Sequence, residues 1–179
     1  GHLGQCPHER LVVVCPTRHL THQWADAAHD FGLHLDPEWS RSDPFPRDMH
    51  GIVVTYQQVA ADPHAVARVA DGAFVVLDEI HHAGDERAWG EALRVAFGRA
   101  SRRLSLSGTP FRSDTAAIPF VRYDFDEAVA DYVYGYREAL REGGVVLPVY
   151  FPRRDGRMEW TSRDGALQAA TFGDRLDRT

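Results

Sequence analysis

The stretch "AFVVLDEIHHAG", Ala73 to Gly84, decides the fold. Phe74, Val75, Val76 and Leu77 make a short apolar run, which reads as a buried strand. The run leads straight into Asp78 and Glu79, with His81 and His82 behind them. A buried strand ending in adjacent carboxylates is a common place to hold a metal ion against a phosphate. One carboxylate would hold Mg2+ and a second would orient an attacking water. Asp78, leaving the strand, takes the metal side and Glu79 the role of base. Alternation along the strand is expected to point their side chains in different directions.

Outward from this stretch the same pattern recurs. "RLVVVCP" (Arg10–Pro16) is a β-branched run stopped by proline. It is followed by Leu20, Trp24, Ala27, Ala28 and Phe31 at helical spacing, with Thr17 to cap the helix and Gly32 to end it. This spacing puts Trp24 in the core. "GIVVTYQQVAAD" (Gly51–Asp62) reads as a strand turning into a short helix, and "RAWGEALRVAFGRA" (Arg87–Ala100) as a longer helix. "RRLSLSGTPFR" (Arg102–Arg112) is a last strand. Strands alternating with helices predict a mainly parallel sheet covered on both faces, with chemistry at the carboxyl ends of its strands. The chain places Thr17-Arg18, Thr55-Tyr56-Gln57, Asp78-Glu79 and Ser107-Gly108-Thr109 at those ends. "LDPEWSRSDPFPRDMHG" (Leu35–Gly51) reads as a surface loop. Beyond Asp114 the pattern weakens to a short helix (Arg137–Glu142) and a strand around Val145–Phe151, as in a connection leaving the sheet domain.

Composition narrows the classes. The 179 residues are 44% hydrophobic, enough for one domain with a proper core. No apolar run is long enough to span a bilayer, so a cytoplasmic setting without a membrane partner is expected. Cys6 and Cys15 are too few for a disulfide framework. A formal charge of −6 argues against a dedicated basic clamp for nucleic acid. A local basic rim is still compatible with it: Arg102, Arg103 and Arg112 flank one loop, and Arg153, Arg154 and Arg157 cluster later.

Other chemistries fit less well. His81 and His82 lack the H-E-x-x-H spacing and a nearby Cys pair, which argues against zinc. No G-x-S-x-G elbow occurs, so a serine hydrolase finds no nucleophile. Taken together, "CPTRHLTHQW", "VVTYQQV", "VVLDEIHHAG" and "LSLSGTPFRSD" resemble, in order, motifs Ia, Ib, II and III of the superfamily 2 helicases. The resemblance is closest to the DExH branch that includes the type III restriction subunits and related DNA translocases, and it covers about Leu11 to Asp114.

That resemblance implies a RecA-like, three-layer α/β domain working with ATP and Mg2+. It implies that Asp78 and Glu79 act on Mg2+ and water, that His81 links the nucleotide site to motif III, and that Ser107 and Thr109 couple hydrolysis to strand movement. It further implies that Thr17, Arg18, Thr55 and Tyr56 grip one nucleic-acid backbone. Hydroxyls, an arginine and free N–H groups at strand-to-helix turns suit phosphates without reading bases. DNA is the partner implied, and RNA is not distinguished from it by these residues.

One family element has no counterpart. The phosphate loop G-x-x-x-x-G-K-[ST] needs a lysine, and all 20 basic residues counted as Lys+Arg are Arg. In the family that loop precedes motif Ia, and a second RecA-like domain follows in the same chain. Both ends of this chain look cut, so the expected form is an incomplete first motor domain at 1–119 and a connecting segment at 120–179. Such a fragment would be inactive alone. Two alternatives stay open: the translocation subunit of a restriction system, and a degenerate module that binds nucleic acid or a partner without hydrolysis.

Overall fold

The computed structural model describes residues 9–84, 87–108, 117–125, 127–143, 146, 157–161 and 167–171. The chain divides into two units, Gly1–Asp131 and Tyr132–Thr179.

The first unit is built on a parallel sheet of β1 (Leu11–Cys15), β2 (Leu35–Asp36), β3 (Gly51–Thr55), β4 (Phe74–Leu77) and β5 (Arg102–Ser105), in the order β2-β3-β1-β4-β5. Every pairing in it is parallel. Its helices are α1 (Arg18–His29), α2 (Tyr56–Ala61), α3 (Pro63–Ala70) and α4 (Arg87–Phe97). The expected α/β fold with a parallel sheet is present.

Alternation along the strands separates two cores. Val12, Val14, Ile52, Val54, Val75 and Leu77 face α2, α3 and α4, where Val59, Val66, Leu93 and Phe97 complete one cluster. Leu11, Val13, Cys15, Val53 and Val76 face the other way, against Leu20, Trp24, Ala25 and Ala28 of α1. With both faces covered, the inner strands read as continuous hydrophobic runs, as β1 does. The register Leu11↔Gly51 and Leu11↔Phe74 brings the strand ends level at one edge of the sheet. That alignment lets residues far apart in sequence share a site.

Several local expectations need correction. On α1 Ala27 is exposed, and Phe31, expected on the same helix, falls past its end and is 85% exposed. The helix stops at His29, and Gly32 takes a positive φ of 74° just beyond it. The loop Leu35–Gly51 contains the edge strand β2 and a buried Trp39, so it is not a surface loop throughout. A two-residue strand is too short to leave a periodic signal. Helix α4 ends at Phe97 rather than Ala100, where the Arg103 guanidinium donates to the Phe97 carbonyl at 2.9 Å. Past the sheet the unit adds an antiparallel pair, β6 (Arg122–Asp124) and β7 (Glu127–Val129), which the sequence pattern did not indicate.

In the second unit, α5 (Tyr136–Glu142) corresponds to the expected short helix. An antiparallel pair, β8 (Arg157–Thr161) and β9 (Leu167–Thr171), was not anticipated. The strand expected at Val145–Phe151 lies outside the described residues except for Val146. Among the described residues no helix is long and apolar enough to cross a membrane.

Candidate nucleotide and metal site

The backbone at the end of β4 explains why two adjacent carboxylates diverge. The Asp78 N–H donates to Val14 of β1 at 2.8 Å, while the Ile80 N–H donates in the other direction, to Leu106 beyond β5, at 3.0 Å. The chain must switch from one neighbour to the other across Glu79. It does so with Glu79 at φ 49°, in the left-handed region that non-glycine residues seldom occupy. Asp78 and Glu79 therefore sit in a turn, and the turn rather than strand alternation separates them.

A 3-10 turn over Ile80–Gly84 follows and swings His81 back toward β5. The His81 Nδ1 lies 2.9 Å from Ser107 Oγ and 3.3 Å from Glu79 Oε2. The same ring nitrogen therefore lies within reach of both the Ser107 hydroxyl and the Glu79 carboxylate. The Gly108 N–H adds a long contact to the same Glu79 oxygen, at 3.5 Å. Glu79, His81 and Ser107, which the sequence pattern singled out separately, form one connected group. Thr109 lies outside the described residues, as does Arg112.

Asp78 is held from the opposite side. Its Oδ2 accepts from the Trp24 indole N–H at 2.8 Å, and its main-chain carbonyl accepts from the Tyr56 hydroxyl at 2.8 Å. Among the described residues its Oδ1 carries no hydrogen bond. Spacing alone places Trp24 in the core; its ring does pack in the cluster under α1, but its polar tip reaches the site. The available signal was chemical: a Trp on an apolar helix face still needs an acceptor for its one N–H.

Asp78 in turn affects its neighbours. The Cys15 thiol, buried at the end of β1, is pushed from 9.0 up to about 11, first by burial and then by the Asp78 charge. Burial, followed by Asp78, also raises the Tyr56 hydroxyl well above the usual range.

The four residues expected to grip a nucleic-acid backbone fall into different environments. Thr17 and Arg18 are exposed at the start of α1, and the Thr17 side chain makes no capping hydrogen bond. Arg18 pairs with Glu38 at 2.5 Å, and His22 reaches the other oxygen of that carboxylate at 2.9 Å. Thr55 is 7% exposed and its hydroxyl caps α2, accepting from the Gln58 N–H at 3.2 Å while Gln58 Oε1 accepts from the Thr55 N–H at 2.8 Å. Tyr56 is 1% exposed and stacks on Trp89, so its ring belongs to the core. Of the basic candidates, Arg102 and Arg103 are exposed, though Arg103 also lies over the Phe120 ring.

Among the described residues there is no cluster of three or more His, Cys, Asp or Glu able to cage a metal. Mg2+ is usually held through one or two carboxylates together with substrate phosphates and water. The hard oxygen of Asp78 Oδ1, with Glu79 one residue on, matches that donor chemistry. Glu79, oriented by His81, could take a proton from water.

An all-parallel sheet with these carboxylates at an inner strand end, joined to a serine beside the next strand, defines a RecA-like α/β domain. The chain belongs to the family described as "Type III restriction enzyme, res subunit", which it matches over residues 3–112. Two proteins of Mycobacterium tuberculosis, from strains CDC 1551 / Oshkosh and ATCC 25618 / H37Rv, are each 48% identical to it over 176 residues. A protein of Mycobacterium leprae strain TN is 46% identical over the same length. All three are named only as uncharacterized proteins, and each alignment covers 94% of this chain. The chain spans 29% of the length of these relatives.

Proposed function

We propose that this chain is part of the first motor domain of an ATP-dependent nucleic-acid translocase or helicase, with DNA as the preferred track. The observation that carries the proposal is the Glu79–His81–Ser107 connection, with Ser107 2.9 Å and Glu79 3.3 Å from the same nitrogen. It joins a base-type carboxylate to the segment just beyond the neighbouring strand β5, which supports a coupling role for that segment.

In this reading Asp78 holds Mg2+ from its Oδ1 side, and Glu79 accepts the proton of the attacking water. Bound Mg2+ would neutralise charge on the phosphates. His81 keeps the Glu79 carboxylate turned toward the site and passes its position to Ser107, with Thr109 as the second coupling residue. Thr17 and Arg18, exposed at the start of α1, supply phosphate contacts, Arg18 exchanging Glu38 for a nucleic-acid phosphate. The phosphate loop and the second motor domain are supplied by other parts of a longer chain. The Thr55 and Tyr56 side chains act in this proposal through the fold, by capping α2 and fixing Asp78, rather than on the track.

Glu79→Gln in the full-length protein tests the reading. It removes the base and leaves the Asp78 metal ligand, so ATP affinity should hold within about twofold while DNA-stimulated turnover drops by at least a hundredfold or so. Undiminished turnover would take Glu79 out of the mechanism. A wild-type protein that binds DNA but hydrolyses no ATP would leave a binding module instead.

A further inference from the structure

The hydrogen bond from Trp24 to Asp78 has no place in the scheme above. Indole has one donor and no acceptor, so Trp24 can interact with a carboxylate only by giving its proton. Helix side chains lean toward their own N-terminus. Trp24 therefore points from the middle of α1 back toward the strand ends and meets Asp78 Oδ2 at 2.8 Å. Its ring is half-buried against the apolar cluster on that face of the sheet, which restricts its freedom to turn away.

The consequence lies in the geometry of Asp78. A carboxylate can rotate about its last torsion and present either oxygen or neither. The indole bond fixes Oδ2, and the Tyr56 hydroxyl fixes the main-chain carbonyl of the same residue, also at 2.8 Å. With one carboxylate oxygen and the backbone both held, Oδ1 is the oxygen left without a hydrogen bond among the described residues. Partners of this kind are worth about 10–100-fold in metal affinity at metal sites.

We infer that Trp24 is a positioning residue for the metal-side carboxylate, its indole N–H holding Asp78 Oδ2 so that Oδ1 is presented to a divalent cation. The inference rests on the reading of Asp78 as a Mg2+ ligand. It also ties α1, whose first turn carries Arg18, to the metal site.

The test uses the full-length protein, its Trp24→Phe variant and its Asp78→Asn variant. Mn2+ binding in the presence of ADP is followed through the free-ion spin-resonance signal, and ADP affinity is measured separately in EDTA. Trp24→Phe should weaken Mn2+ binding roughly tenfold and leave ADP affinity in EDTA unchanged, while Asp78→Asn abolishes Mn2+ binding. If Trp24→Phe binds Mn2+ like the wild type while Asp78→Asn does not, Trp24 has no positioning role and the reading of Asp78 survives. Equal losses of ADP and Mn2+ affinity in Trp24→Phe would mean a merely structural role and overturn the inference. Unaltered Mn2+ binding by Asp78→Asn would overturn the metal-side reading and the inference with it. Should Trp24→Phe fail to fold, tryptophan-15N labelling of the other two proteins decides. One indole N–H resonance must move in Asp78→Asn and broaden with Mn2+ in the wild type; no such resonance overturns the inference.

Discussion

Cys15 shows how a single residue reports on the site without taking part in it. It lies at the end of β1 with no exposed surface, its thiol within 3.4 Å of the Thr17 carbonyl and 3.7 Å of the Val54 carbonyl. Burial and the nearby Asp78 raise its pKa from 9.0 to about 11. Between those values the folded chain keeps a proton that the unfolded chain has released. Unfolding then releases protons, and rising pH favours it. The contribution is present in full below about pH 9 and is lost as pH climbs through about 11. Tyr56, raised by the same causes, extends the fall to higher pH. In denaturant titrations from pH 8 to 11, Cys15→Ala should flatten the decline by up to about 1.4 kcal/mol per pH unit. Parallel declines for variant and wild type would mean that the thiol does not titrate differently on folding. At this scale the sequence pattern singled out Asp78, Glu79, His81 and Ser107, which the fold brings to neighbouring strand ends. It left Trp24 in the core, because helical spacing tells which face a residue occupies and not what its polar tip touches.

Two threonines at strand-to-helix turns look alike in sequence and differ once the elements form. Thr55 closes a capping box with Gln58 at the start of α2. Thr17 stands at the start of α1 with extended backbone and no capping bond from its side chain. Thr55→Ala should therefore cost about 1 kcal/mol of stability, the usual worth of a cap. Thr17→Ala should stay within about 0.5 kcal/mol, as for an exposed position. In the full-length protein it should nevertheless weaken DNA binding several-fold, if its hydroxyl meets a phosphate. Thermal unfolding and DNA-binding isotherms on both variants separate these outcomes. A Thr17→Ala protein that loses stability but not DNA affinity would reverse the assignment. The elements themselves were largely legible: β1, β3, β4, α2 and the short α5 fall where apolar runs and breakers place them. The edge strand β2 and the β6–β7 and β8–β9 pairs were not, since short strands take their definition from partners.

The whole first unit depends on β1 lying against β3 without a gap. A side chain on Gly51 would place its Cβ 1.9 Å from the Leu11 carbonyl oxygen, a clash with backbone that no rotamer relieves. Gly51→Ala must push the two strands apart at their first paired residues, and should destabilise by about 1–3 kcal/mol, as overpacking does. A chemical denaturation midpoint equal to that of the wild type would show that the strands can separate there at no cost. The amino-acid sequence alone determined the alternation of strands and helices, the buried faces, the family resemblance and the residue types at the strand ends. Those follow from local periodicity and from side-chain chemistry carried in short motifs. Only the tertiary structure decided the strand order β2-β3-β1-β4-β5, the left-handed turn at Glu79, and the joining of Trp24, Tyr56, Asp78, Glu79, His81 and Ser107. These depend on register between strands distant in the chain, which no local pattern encodes: Asp78 meets Trp24 and Tyr56 because parallel pairing aligns the ends of β1, β3 and β4.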